Sequence, residues 1–481
     1  MDPLAKREVL RLATEAESVA RGVLSSAAAE ASMEMARMEV AEVLSAVEDP
    51  QRFGDLPTHV SIAGGRMWLA AAHLSADEPG ALPLVLRVYN GVETLLALED
   101  LLVTALAMAG QVDQSSKLEG RVALRTAGDV KSHLEKRGHL RRVVVRGLTL
   151  PFSLEGMDLT GSTWTGVDFT GKSLSQVNAV GTRFRGCRMV SAGLANADLT
   201  RADLSDADLT DANLTGTKLV GAHLARTKLN ETSLEAADLT GAVLTGADLS
   251  GASAQRSDFS KCALVADLIL TGANLTGANL KRAKLKGVDL RRTVLVSADL
   301  SEALLVSANA EGVDFSGCNL TGSNWKDANL KGAFGADVFA NHIGLQGADL
   351  RKGRFPSIQA RSANARGAVL EGADLTGANF SRATMNEAGL NRVVARQACF
   401  DEATLVRADM RASSFAGASF RLADLSHARL EESSLTRASL TGANLHRASH
   451  ASADLTGADL TGARLTDKDR ARAEDFVRVM G

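Results

Sequence analysis

Asp198-Leu199-Thr200-Arg201-Ala202-Asp203-Leu204-Ser205-Asp206-Ala207-Asp208-Leu209-Thr210-Asp211-Ala212-Asn213-Leu214-Thr215-Gly216 is one short phrase written four times. A large apolar residue returns at Leu199, Leu204, Leu209 and Leu214. Two places before each stands a small residue, here Ala, and between the two stands Asp or Asn. A period of five fits neither a helix at about 3.6 residues per turn nor a strand at about 2.0. It fits a coil in which each unit supplies a short extended piece and then a corner. Side chains alternate along an extended segment, so the large residue and the small one two places earlier point inward together. The polar residue between them points out. The two remaining positions, often Thr-Gly or Ser-Gly, form the corner, where Gly tolerates a positive φ.

Outward from this stretch the phrase runs back to Leu154 and forward without a slip to Phe259 and Leu264. The frame then moves by one residue before Leu270 and holds through Phe380, Leu405, Phe420 and Leu460 to Leu465. This gives on the order of 60 units, far beyond the three or so that a repeat array needs. Four units closing a square turn give about 16 coils, a rod of roughly 75 Å at one strand spacing per coil. Leu and Phe fill its axis, Ala lines the inner edges, and stability becomes a sum of nearest-neighbour stacking terms.

The phrase A-(D/N)-L-x-x, carried by Ala197-Asp198-Leu199, Ala273-Asn274-Leu275, Ala373-Asp374-Leu375 and Ala458-Asp459-Leu460, resembles the pentapeptide-repeat family. The resemblance covers roughly two thirds of the chain. It implies a right-handed quadrilateral β-helix with four units per coil. The whole chain then reads as an α+β protein with an α-helical head over residues 1–138 and the β-helix over 139–465. A C-terminal helix over 466–481 follows, for capping or dimerisation.

Composition agrees with a narrow core: 45% of the 481 residues are hydrophobic but only 4% aromatic, and the net charge is −3. The start, Met1-Asp2-Pro3-Leu4-Ala5-Lys6-Arg7-Glu8, leads into a charged helix rather than an apolar leader. Val92 to Gly110, the most apolar segment, carries Glu93, Glu99 and Asp100 and does not read as a membrane span. Cys187, Cys262 and Cys318 occupy the small inward slot normally held by Ala, and Cys399 the outward slot. None has zinc-like spacing, and buried thiols suit a reducing compartment. A cytoplasmic protein is expected, with export by a route that needs no leader as the other possibility.

In the head, residues 2–47 read as a long helix entered through Asp2-Pro3 and closed at Asp49-Pro50. Its methionines Met33, Met35 and Met38 are read as core. Gly64-Gly65 lacks the Lys-Ser/Thr that a phosphate loop needs. Leu84 to Ala109 has helical spacing, and a second, more polar helix is expected around Asp129 to Arg137. Leu140 to Leu150 is β-branched and alternating, the strand expected to start and cover the β-helix.

Three departures from the phrase stand out. The slip around Val265 to Ile269 predicts a bulge. Gly335 to Gly344 loses the phrase while keeping the frame, which predicts a small protruding loop presenting Phe339, Asn341 and His342. His450 takes an inward slot, where a buried, hydrogen-bonded imidazole is expected rather than a ligand. At the C-terminus Phe476, Val477 and Met480 line one face of a short amphipathic helix, suited to plug the last coil or to meet a second copy.

Residues twenty apart stack, so Asp198, Lys218, Asp238 and Asp258 form one outward ladder of mostly alternating sign. Lys281, Arg282, Lys284, Lys286, Arg291 and Arg292 make a basic band, and Arg351, Lys352, Arg354, Arg361 and Arg366 a second. These bands are candidate surfaces for an acidic protein partner. No aromatics interleave with them, so direct nucleic-acid stacking is not expected.

No Gly-x-Ser-x-Gly, His-Glu-x-x-His or Cys/His grouping occurs, and the many Asp belong to the structural phrase. No cofactor or metal site is expected. The residues read as a non-enzymatic scaffold: a rigid rod displaying surfaces for protein partners, docked by its head and able to form a homo-oligomer. The family resemblance adds adaptor or effector roles associated with bacterial secretion systems. It also offers an alternative, a mimic of duplex DNA that binds and protects DNA gyrase. That reading needs negative potential along the rod, which the basic bands interrupt.

Overall fold

The computed structural model describes residues 122–262 and 267–466, together with the backbone of two earlier strands, β1 (Arg66–Ala70) and β2 (Val85–Tyr89). The chain divides into two compact units, Met1–Leu124 with Arg142–Val144, and Arg125–Arg141 with Val145–Gly481.

In the first unit β1 and β2 pair antiparallel, Arg66 opposite Tyr89 and Ala70 opposite Val85. This corrects the purely helical reading of the head. Val85, Val88 and Tyr89 are strand formers and follow Pro83, so local propensity outweighs the helical spacing read through them. The helices expected elsewhere before residue 121 lie outside the described residues.

From β3 (Val122–Leu124) the chain enters α1 (Ala127–Arg137), close to the expected position. Thr126 and Asp129 form a capping box, and Gly138, at φ 70°, closes the helix. The expected strand follows as β4 (Val143–Arg146), which is hydrogen-bonded to β5 (Thr163–Thr165).

From there the structure is a stack of coils. Outward-slot residues pair in parallel at twenty-residue intervals, as in Asp158 with Asn178, Asp198 with Lys218 and Asn379 with Cys399. Each unit hands its backbone groups to the neighbouring coils: Leu199 N–H donates to Lys218 O, Arg201 N–H to Val220 O, and Asp198 N–H to Val177 O. A fourth bond, Ala202 N–H to Leu199 O, closes the corner. The second central residue of that turn has positive φ, the mark of a type II turn. Gly fills this position in many units, but Arg201, Asp206, Glu302 and Arg382 fill it in others. Each such residue costs roughly 1–2 kcal/mol of local strain, which the ladder bonds on either side offset.

The phrase has a reason at every slot. Leu199, Leu204, Leu209 and their counterparts are fully buried, as are Ala202 and Ala207. The outward Asp or Asn accepts from the corner with its own side chain: Asp208 Oδ1 takes Thr210 N–H at 3.2 Å and Thr210 Oγ1–H at 2.7 Å. Asp374 does the same with Thr376. This local bond is why Asp or Asn precedes the large residue and Thr or Ser follows it. Where Thr, Ser or Cys replaces Ala, its hydrogen finds a backbone carbonyl. Thr217 donates to Leu194 O and Cys318 to Leu295 O, in the preceding coil. Thr232 donates to Leu229 O and Ser433 to Leu430 O, three residues back in their own coil. The two core tryptophans use a Ser two places earlier, Trp164 Nε1–H to Ser162 and Trp325 Nε1–H to Ser323.

The slip is real. Asp248 pairs with Ile269 and Asp258 with Asn279, twenty-one residues apart, before the twenty-residue spacing resumes. Asp267 already holds the positive-φ position of the second frame, which places the extra residue within 263–266, outside the described residues.

Residues 335–344 form no protruding loop, which corrects that expectation. Phe334 pairs with Arg354, Phe339 with Gln359 and Gly344 with Asn364, in unbroken register. Gly335 occupies a centre slot in the row of Phe315 and Phe355. A Cβ there would meet a Val338 methyl at 2.7 Å and the Phe315 carbonyl carbon at 2.9 Å, so Val338 and the flanking coil take the space of the missing side chain. Bulk has moved from the centre slot to the small slot, and the cross-section is kept.

Candidate interaction surface

The stacked outward slots define four faces, named here in chain order. Face I carries Asp248, Ile269, Asp289, Asn309, Asn329 and Asp349; face II carries Ser253, Asn274, Val294, Asp314, Phe334 and Arg354. Face III carries Asn279, Asp299, Asn319, Phe339, Gln359 and Asn379; face IV carries Lys284, Leu304, Asn324, Gly344 and Asn364.

Against this frame the first basic band is wrapped around one coil rather than gathered on one side. Lys281 and Arg282 lie at the corner of face III, Lys284 and Lys286 on face IV, and Arg291 and Arg292 on face I. The second band divides likewise, Arg351 and Lys352 on face I and Arg354 on face II. Much of the charge is answered locally. Arg282 and Lys281 both reach Glu302, at 2.6 and 3.6 Å. Arg291 holds Asp289 at 2.7 Å and Arg351 holds Asp349 at 2.5 Å. The guanidinium of Arg354 sits 5.1 Å from the centre of the Phe334 ring, a cation–π contact. Among the described residues, Lys284, Lys286, Arg292 and Lys352 make no ion pair.

These pairs shift the acids. Hydrogen bonding from Arg291 holds the Asp289 carboxyl below its ordinary value of 3.8, and Arg351 does the same for Asp349. Arg226 lowers Asp206 and Arg411 lowers Asp409 in the same way. The buried thiols move the other way: desolvation pushes Cys187, Cys262 and Cys318 up to about 12. They are neutral hydrogen-bond donors inside the coil, in keeping with the structural reading of the cysteines.

Phe339 stands 52% exposed on face III, an aromatic ring in a ladder whose neighbouring slots hold Asn319 and Gln359. Asn341 and His342 follow at its corner, and Asn341 accepts from Arg361 N–H at 3.0 Å. The grouping expected on a loop is therefore present on a flat ladder. His450 is exposed rather than buried: its coil is the last described, and no described coil stacks below it; its Nδ1 lies 3.3 Å from Ala448 O. Leu460 and Leu465 are exposed at the same end. Phe476, Val477 and Met480 lie outside the described residues.

Among the described residues no three His, Cys, Asp or Glu side chains converge as a metal site, and no helix is long and apolar enough to cross a membrane. Sequence reading missed the bond from the outward Asp to its own corner and the Ser that satisfies each core Trp. Both signals were legible as spacings of two residues.

The profile of the family described as pentapeptide repeats matches residues 153–264, 266–334 and 358–467. Coil register, slot chemistry and profile agree, and the chain belongs to the pentapeptide repeat family, whose fold is the right-handed quadrilateral β-helix. The stretch the profile leaves out after residue 334 is the one where bulk has changed slots.

Among solved structures, HetL, a pentapeptide repeat protein involved in heterocyst differentiation regulation from the cyanobacterium Nostoc sp. strain PCC 7120, is 23% identical. That match covers 71% of this chain and 98% of HetL, with a TM-score of 0.24. A pentapeptide repeat protein of the Arabidopsis thaliana thylakoid lumen is 29% identical over 24% of this chain and 77% of its own, at a TM-score of 0.19. QnrB1, a plasmid-mediated fluoroquinolone resistance protein, is 21% identical over 42% of this chain and 96% of its own, at 0.18. No curated protein matches by sequence.

Proposed function

We propose that the protein is a non-enzymatic scaffold whose coil stack presents outward side chains at fixed spacing to a protein partner. The observation that supports this is the division of labour between slots. Inward residues and corner bonds set the coil, which leaves the exposed Lys284, Lys286, Arg292 and Lys352 with no ion pair among the described residues. Cations held on a rigid ladder, beside carboxylates already paired to their neighbours, suit an acidic protein surface. The finer reading, an adaptor or effector of a bacterial secretion system, rests on family resemblance.

The test is affinity capture with the full-length protein and with a variant carrying Lys284→Glu, Lys286→Glu, Arg292→Glu and Lys352→Glu, both checked for unchanged thermal unfolding. The scaffold reading expects partners that the variant loses. Partners retained in full by the folded variant would remove the basic surface from the account. Recovery of gyrase subunits by both proteins would replace the scaffold with DNA mimicry.

A further inference from the structure

The charges of face III are complementary about its midpoint. Its corner charges fall into two ion pairs, Arg282 with Glu302 and Arg382 with Glu402, the latter at 3.0 Å. Along the ladder the coil of Phe339 lies midway between them: Glu302 and Arg382 are two coils away on opposite sides, Arg282 and Glu402 three. Both pairs run in the same order, Arg before Glu. Lys281 adds to the charge of Arg282, and Asp401 to that of Glu402, so the two outer coils carry +2 and −2. Between the pairs face III carries Asn319, Thr321, Phe339, Asn341 and Gln359, with Arg361 as the one full charge among them.

We infer that face III is a homodimer surface, on which a second copy of this chain docks antiparallel about a two-fold axis level with Phe339. An axis lying in the interface and perpendicular to the coil stack reverses coil order while keeping each corner opposite its own counterpart. It sets Phe339 against the partner's Phe339, Arg282 against the partner's Glu402, and Glu302 against the partner's Arg382. Within these seven coils no like-charged corners meet; one coil further out on either side, Lys261 and Arg421 mark where the contact ends. Self-complementarity of this kind is what an isologous two-fold contact requires. A centre with an exposed aromatic ring and a single charge, Arg361, inside a charged rim follows the usual anatomy of an interface. Phe339 has no inward role, since Ala340 holds its unit's centre slot, so its exposed ring is available to meet a second copy.

The contact is modest. Seven coils span roughly 34 Å, and a strip of that length and two to three residues wide lies at the low end of specific interfaces, at or below about 1,000 Å² in total. A weak dimer that loosens with salt follows. This inference is independent of the scaffold reading, because either surface can be occupied without the other.

Sedimentation equilibrium of the full-length protein tests it. Reversing one pair, Arg282→Glu with Glu302→Arg, keeps that bridge within the chain but sets like charges against the second copy. It should weaken the dimer at least about tenfold. Adding Arg382→Glu with Glu402→Arg should restore it to within about threefold of the native protein. Phe339→Asp should abolish it in a chain with native circular dichroism. A monomer at every concentration, a dimer indifferent to the first reversal, or a combined variant as weak as the first would each overturn the inference.

Discussion

Between Asp198 and Gly216 the centre slots hold Leu and the small slots Ala, while between Ala333 and Ile343 the centres are Gly335 and Ala340 and the small slots hold Val338 and Ile343. Phe334 and Phe339 have meanwhile taken the outward positions. Both stretches make the same ladder: Leu199 N–H donates to Lys218 O as Ala340 N–H donates to Gln359 O, each near 2.8 Å. What the coil enforces is the volume enclosed by neighbouring slots and the pairing of backbone groups. The identity of the residue in any one slot is secondary.

Mutation should separate slots that have a substitute for lost volume from slots that do not. Phe400 has none. It stacks on Phe380 at 5.8 Å and on Phe420 at 5.0 Å, with Phe415 edge-on at 6.0 Å. Phe400→Ala should cost about 3–5 kcal/mol in urea unfolding, the largest effect expected here. Leu209→Ala, in the regular stretch, should follow at about 2–4 kcal/mol. Gly335→Ala should cost about 1–3 kcal/mol by overpacking against Val338 and the Phe315 backbone. That cost should shrink by at least about 0.5 kcal/mol in a Val338→Ala background, where the methyl contact is gone. Strict additivity would show that Val338 is not filling the space of the missing side chain.

Much of this was legible beforehand. The period, the inward and outward slots, the alternating ladder and the slip all follow from five-residue spacing, because a solenoid has only nearest-neighbour geometry to satisfy. The strand at 143–146 and the helix at 127–137 were visible in β-branched alternation and capping residues. Three things were hidden for identifiable reasons. Residues 335–344 lose the phrase, but the volume of Gly335 and Val338 is shared through space, which a slot-by-slot reading does not see. His450 matches an inward slot in sequence, yet inwardness needs a following coil. The basic bands are continuous in sequence, but a square coil sends neighbouring units to different faces. The interaction surface was therefore named residue by residue without its arrangement.

Acid should act on the two kinds of surface position through one sign. Asp206, Asp289, Asp349 and Asp409 are depressed below 3.8 by their arginines. Their contribution is therefore present above about pH 4 and is lost as pH falls through the lower folded values. Thermal midpoints should be flat from neutral pH to about pH 5 and fall below it, and the decline should be smaller in Asp289→Asn with Asp349→Asn. An equal decline in that variant would place the acid sensitivity elsewhere. The smallest effect concerns the thiols. Iodoacetamide at mildly alkaline pH should leave Cys187, Cys262 and Cys318 unlabelled in the folded protein and label them on unfolding, with the half-buried Cys399 modified first.

Amide hydrogen exchange across the two compared stretches is the most direct measurement. Gly335, Phe339, Ala340, His342 and Gly344 all donate to flanking coils, as do the amides of Asp198 to Gly216 at the same slots. Shared coil geometry predicts slow exchange in both, with protection alike to within about tenfold. Fast exchange confined to residues 335–344 would mean that the coil opens where the phrase is lost, and would contradict the claim that enclosed volume holds it closed.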